Sequence, residues 1–180
     1  MKTFPLSIVL VCCLALSHAV VFGFPENLEF ESESLKKSGE SRVKALGFIS
    51  LFEAALYLEE DFQPTDFPGD FGYGLKIRYQ RKFKKEALID TANTILQDLH
   101  TDEDLSSIQE TIEEINSYYV DVEKGDIYTL VYQPEKGTTL LFNGEPKVTL
   151  GDQAFAEIYF SIWLGGHPKC RQLKEDLLES

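Results

Sequence analysis

An α+β fold, with an antiparallel β-sheet backed by a layer of α-helices, is what this sequence predicts, and three observations predict it. Segments with period-two alternation, such as Leu75, Ile77 and Tyr79 between Lys76, Arg78 and Gln80, mark strands. Segments with apolar residues at steps of three and four, such as Leu105, Ile108, Ile112, Ile115 and Tyr119, mark amphipathic helices. The two kinds come in blocks, strands then helices then strands then helices, which indicates helices packed on one face of an antiparallel sheet.

The chain opens with Met1-Lys2-Thr3-Phe4-Pro5, an apolar run from Leu6 to Leu16 broken only by Ser7, and then Ser17-His18-Ala19. Charge, apolar run and small-x-small site are the order of a secretory signal, so residues 1–19 read as a leader. Cleavage after Ala19 is expected, with Gly23 in Val21-Phe22-Gly23 as the alternative. The run is shorter than the roughly 20 apolar residues of a permanent span. An N-terminal anchor or a core helix is the competing interpretation. A lipoprotein is disfavoured because no small residue precedes Cys12 or Cys13. The protein is therefore expected to be exported, periplasmic or secreted.

One domain is expected over residues 27–178. Asn27 to Leu35 alternates Leu28 and Phe30 with Glu29 and Glu31, a strand with one wet face, and Lys36 to Glu40 reads as a polar turn. Val43 to Leu58 is apolar enough for a helix, but Gly47 and its aromatic and β-branched content predict two successive strands. Residues 59–74, with Pro64, Pro68, Gly69 and Gly72, form a loop. After the strand at Leu75–Tyr79, Leu88, Ala92, Ile95 and Leu99 line one face of a helix, and Thr101 with Asp104 suggests a capping box opening the next. Ile127 to Tyr132 is a strand stopped by Pro134. A hairpin turns at Asn143-Gly144, which supplies two positive φ angles, although Pro146 could lengthen the loop. Gly151-Asp152 precedes a helix bearing Phe155, Ile158, Tyr159 and Ile162. Gly165-Gly166 breaks it, and Pro168 starts a last amphipathic helix with Cys170, Leu173 and Leu177.

The 180-residue chain carries a net charge of −13, which argues against nucleic acid or an anionic membrane as partner. Of three cysteines only Cys170 lies outside the leader, so the domain is held by its core and no intrachain disulfide is expected. His100 and His167 stand alone, without a Cys or His at ligand spacing, and no metal site or cofactor is expected. No phosphate loop and no Gly-x-Ser-x-Gly elbow is present. The acidic runs at Glu59-Glu60-Asp61 and Thr101 to Asp104 read as solvated surface.

Gly125-Asp126-Ile127-Tyr128, Tyr132, Gly137-Thr138, Asn143-Gly144 and Ile162-Trp163-Leu164-Gly165, in this order and spacing, resemble the chalcone isomerase-like family. Arg42, Ala54-Ala55-Leu56-Tyr57-Leu58 and Leu75-Lys76-Ile77-Arg78-Tyr79 extend the resemblance upstream, over roughly residues 27–178 and toward the exported bacterial branch. The resemblance implies an open-faced β-sandwich with an apolar cleft between sheet and helices. It also implies either ring closure of a chalcone or, in other members, fatty-acid binding without known catalysis.

The plant enzymes' arginine matches Arg42, after Gly39-Glu40-Ser41. The other catalytic positions do not carry over. Phe52 lies near one threonine, Phe83 or Lys84 stands for the tyrosine, Asp90 or Asn93 is near the asparagine, and Ile162, beside Ser161, falls on the second threonine. Each lost donor removes about 2.7–4 kcal/mol of transition-state stabilisation, so no catalytic residue is assigned and chalcone cyclisation is not expected. The same replacements make the cleft greasier: Phe48, Phe52, Phe83, Ile162 and Trp163 are candidate lining residues, with Arg42, Tyr79 and Tyr128 as head-group contacts. A non-catalytic domain binding a fatty acid or similar amphiphile is the expected function. The alternatives are a lyase or isomerase of unknown substrate using Arg42, and an envelope protein-interaction module.

Overall fold

A computed structural model describes residues 23–178. The expected leader, with its cleavage position at Ala19, lies outside the described residues. Seven strands form one antiparallel meander in chain order: β1 (Asn27–Phe30), β2 (Glu33–Ala45), β3 (Ile49–Leu58), β4 (Tyr73–Tyr79), β5 (Ile127–Gln133), β6 (Gly137–Phe142) and β7 (Glu145–Leu150). Helices α1 (Lys85–Leu99), α2 (Asp102–Ser107) and α3 (Gln109–Ser117) are inserted between β4 and β5, and α4 (Gln153–Leu164) and α5 (Arg171–Leu178) follow β7. This is the α+β sheet-and-helix architecture expected from the alternating and helical periods.

The core follows from strand parity. Phe52, Ala54, Leu56 and Leu58 of β3, Leu75, Ile77 and Tyr79 of β4, and Tyr128, Leu130 and Tyr132 of β5 belong to one apolar cluster. Ile95 of α1, Phe155, Tyr159 and Phe160 of α4, and Leu173 and Leu177 of α5 complete it. A second, smaller cluster lies on the other face, where Leu28, Phe30 and Leu35 cover Ala55, Tyr57 and Val131. The β1–β2 hairpin thus curls over the outer side of the sheet. Its approach needs Gly74, because a Cβ there would collide with the Leu28 side chain.

Three local expectations are corrected. Asn27–Leu35 is not one strand but the hairpin β1–β2, turning at Glu31 with φ 52°, where no glycine or asparagine advertises a turn. Lys36–Glu40 is not a turn but mid-strand in β2. Its register jumps between Lys37 and Gly39, and that bulge accommodates the polar run on a twisted strand. The helix expected from Leu105 through Tyr119 breaks at Ile108, and α3 ends at Ser117. Ser106 and Ser107 hydroxyls donate to the carbonyls of Asp102 and Asp104, competing with the helical ladder at the break.

Other signals hold. Thr101 and Asp104 form the capping box. Leu46 and Gly47 separate the two strands predicted in 43–58. Asn143 and Gly144 take φ of 51° and 84° in a two-residue turn between Phe142 and Glu145, and Pro146 is accommodated by a register shift on edge strand β7. His100 and His167 join α1 to the segment around α4. His100 bonds Ser161 at 2.7 Å and His167 bonds Asp98 at 3.0 Å.

Candidate functional site: an apolar cavity between sheet and helices

Between the helix-facing side of β3–β4 and the helices α1 and α4 lies a cavity of about 320 Å³. Its floor is Phe52 and Ile77 with Tyr79, brought to one face by strand alternation. Its wall is the α1 stripe of Leu88, Ala92 and Ile95, and its far side is Tyr159, Ile162 and Trp163 of α4. Phe83 is held at the rim by reciprocal backbone bonds with Val122, at 3.0 and 2.9 Å, and packs its ring edge on Tyr79, centroids 5.7 Å apart. Exposed Ala87 and Thr91 of α1 border the open side.

The polar content of the lining is neutral. Tyr159 donates to the Tyr119 hydroxyl at 3.0 Å, and Tyr119 lines the cavity beside Asn116. The Tyr79 hydroxyl has no hydrogen-bond partner among the described residues. Burial pushes all three phenols well above their ordinary range, so they remain protonated donors at neutral pH. No carboxylate, imidazole, ammonium or guanidinium is among the lining residues. The arrangement can hold an apolar body and hydrogen-bond one uncharged group or a partly hydrated head.

The sequence candidates divide. Phe52, Tyr79, Phe83, Ile162 and Trp163 come together in the lining. Tyr128 packs behind it, 4.7 Å from the Tyr119 ring and 6.2 Å from Tyr79, with its hydroxyl accepting the Val120 N–H at 2.8 Å. Phe48 is 76 % exposed at the β2–β3 turn and does not line the cavity.

Arg42 does not reach the cavity either. It lies directly opposite Glu53 in the β2–β3 ladder, on the outer sheet face, because Phe52 and Ala54 on either side of Glu53 face the helices. Its Nε donates to Glu53 at 2.8 Å, and its side chain is 56 % exposed. Gln80 and Arg78 engage the same carboxylate at 3.0 and 3.6 Å, and Arg78 also donates to the Gly23 carbonyl and covers the Phe24 ring. Arg42 instead borders an open polar cleft on the outer face, together with Glu53, Arg78 and Gln80.

Tyr119, Tyr159 and Ala92 were legible only as helical core positions. Cys170 is half-buried and borders the cavity, and burial raises its thiol pKa. Since the thiolate is the nucleophile, we expect disulfide-exchange labelling of Cys170 at pH 8 to be several-fold slower than for a free thiol, and slower again with the cavity filled. Labelling at the free-thiol rate, unaffected by ligand, would contradict this placement.

No curated protein matches the sequence significantly. A fatty-acid binding protein from Arabidopsis thaliana is similar in structure, with a TM-score of 0.63 at 13% identity, over 87% of this chain and 91% of that one. At that identity the likeness is one of fold. A family profile described as chalcone isomerase-like matches residues 19–179. With the profile covering nearly the whole chain and the sheet, helices and cleft in place, the protein belongs to the chalcone isomerase-like family.

Proposed function

We propose that this protein is a non-catalytic carrier that takes a fatty acid or a similar amphiphile into the cavity between β3–β4 and α1–α4. The observation carrying this reading is a lining that is almost wholly apolar, with only neutral hydroxyl and amide donors. Its volume of about 320 Å³ lies at the small end of the roughly 300–1,000 Å³ usual for ligand sites, and suits one chain or one compact ring system. The fatty-acid binding protein of similar fold lends support.

An ionised head group would not enter such a lining, because burying an unpaired charge is costly. It would stay at the open side, by the basic run Arg81-Lys82-Phe83-Lys84-Lys85. The lyase alternative would have to use Arg42 on the other face of the sheet, away from this cavity. Export of the carrier rests on the leader-like N-terminus. Cleavage after Ala19 is the better fit, since it spares the bond from Arg78 to the Gly23 carbonyl.

Trp163, the single tryptophan of the chain, borders the cavity and reports on it. Titration with a fatty acid or a long-chain methyl ketone should change its emission saturably at one ligand per chain. If no apolar probe alters the emission or co-purifies with the protein, the carrier reading fails.

A further inference from the structure

The turn between β2 and β3 exposes two large apolar side chains, Leu46 at 81 % and Phe48 at 76 %. Leu46 has φ 52°, a left-handed conformation that a bulky residue rarely adopts and that asparagine or glycine accepts more readily. Neither solubility nor turn geometry accounts for a leucine there. A backbone strained at an exposed leucine is the kind of feature found at functional sites.

The tip extends from the strand that forms part of the cavity floor. Phe52 and Leu51 line the cavity, and Phe52 pairs with Tyr79, the last residue of β4. From Phe52 the hairpin runs on past the end of β4 for about 15 Å, at roughly 3.3 Å per residue. Beside it, Gln80 N–H bonds the Leu51 carbonyl at 2.8 Å, and the run Arg81-Lys82-Phe83-Lys84-Lys85, exposed but for Phe83, follows directly.

Charge is segregated there. Residues 76–85 carry Lys76, Arg78, Arg81, Lys82, Lys84 and Lys85 with no acidic residue, in a chain of net charge −13. Lys82 and Lys84 are offset by Glu123 and Asp121, whereas Arg81, Lys85 and the tip-adjacent Lys44 have no ion partner among the described residues. A basic cluster thus stands at this end of an otherwise acidic chain, beside Glu86, Asp121 and Glu123.

We propose that the Leu46–Phe48 tip, with Arg81, Lys85 and Lys44, docks on an anionic lipid bilayer, so that the cavity opens toward the membrane. A convex apolar tip flanked by cations matches the interface of a bilayer, where apolar side chains enter the acyl boundary and basic ones stay at the head groups. The inference stands on the tip and its charges, independently of what the cavity binds.

The test adds a reporter at the tip. In Phe48→Trp, emission should shift to the blue and be quenched by brominated lipid in vesicles of equal parts phosphatidylglycerol and phosphatidylcholine, and much less in phosphatidylcholine alone. Leu46→Asn with Phe48→Ser should fold with unchanged or higher melting temperature and sediment about tenfold less with the anionic vesicles. Arg81→Glu with Lys85→Glu should lose binding to a similar extent, as should high salt. A tip tryptophan that stays in water on vesicle-bound protein overturns the proposal. So does undiminished sedimentation of the double variants, or a vesicle-independent dimer that the tip substitutions abolish. Trp163 titration run in parallel keeps this outcome separate from a failure of ligand binding.

Discussion

Ala92→Phe is expected to abolish ligand binding without unfolding the protein. Ala92 sits on the α1 stripe that walls the cavity, where a larger side chain has empty space to enter. The new ring would occupy the volume that an acyl chain or aromatic body uses, displacing on the order of 3 kcal/mol of apolar contact, which is about a hundredfold in affinity. The fold should tolerate it, because filling a cavity restores dispersion contacts and phenylalanine costs a helix only about half a kcal/mol. Trp163 emission titrations would show the loss, while the melting temperature stays level or rises. Thr94→Phe, on the exposed side of the same helix, should leave binding unchanged. Equal affinity in Ala92→Phe and the parent would mean that the ligand binds elsewhere.

Phe160→Ala is expected to produce the largest loss of stability. Phe160 is fully buried on α4, with its ring edge-on to Tyr73 at a centroid distance of 4.8 Å, and so ties the helix layer to β4. Removing a buried aromatic costs about 3–5 kcal/mol through lost transfer energy and the cavity left behind. With no disulfide among the described residues to limit the unfolded state, the core carries that loss. At roughly 2–4 °C per kcal/mol for a domain of this size, the melting temperature should fall by about 10 °C. Differential scanning calorimetry settles it, and a drop of only a degree or two would mean that α4 is loosely docked. The contrast between the two substitutions separates the packed half of the sheet–helix interface from its hollow half.

Five of the eight candidate residues lie in the cavity: Phe52 and Tyr79 follow from strand parity and Ile162 and Trp163 from the α4 face, whereas Phe83 sits between β4 and α1. Tyr119 and Tyr159 were seen only as core. A helical stripe says which side of a helix is buried, not whether the space it faces is full. Phe48 was misplaced because an exposed aromatic at a turn has the same local sequence as a buried one in a strand. Of the three polar candidates, Arg42 lies on the other sheet face for a different reason. Local alternation says that Arg42 and Val43 face opposite ways, but which of the two faces the helices depends on the pairing with β3 and on two breaks in that register.

From its residues alone this chain determines its class of fold, most of its strands and helices, the Asn143–Gly144 turn and the apolar character of one cleft, since these depend on periodicity and on backbone preferences carried within a few neighbours. Tertiary structure alone decided that the β1–β2 hairpin folds over the outer face, that Arg42 is spent on Glu53, and that space remains beside Ala92. Those outcomes depend on strand register and on the mismatch of side-chain volumes across layers. Both are properties of residues far apart in the chain, and no local pattern encodes them.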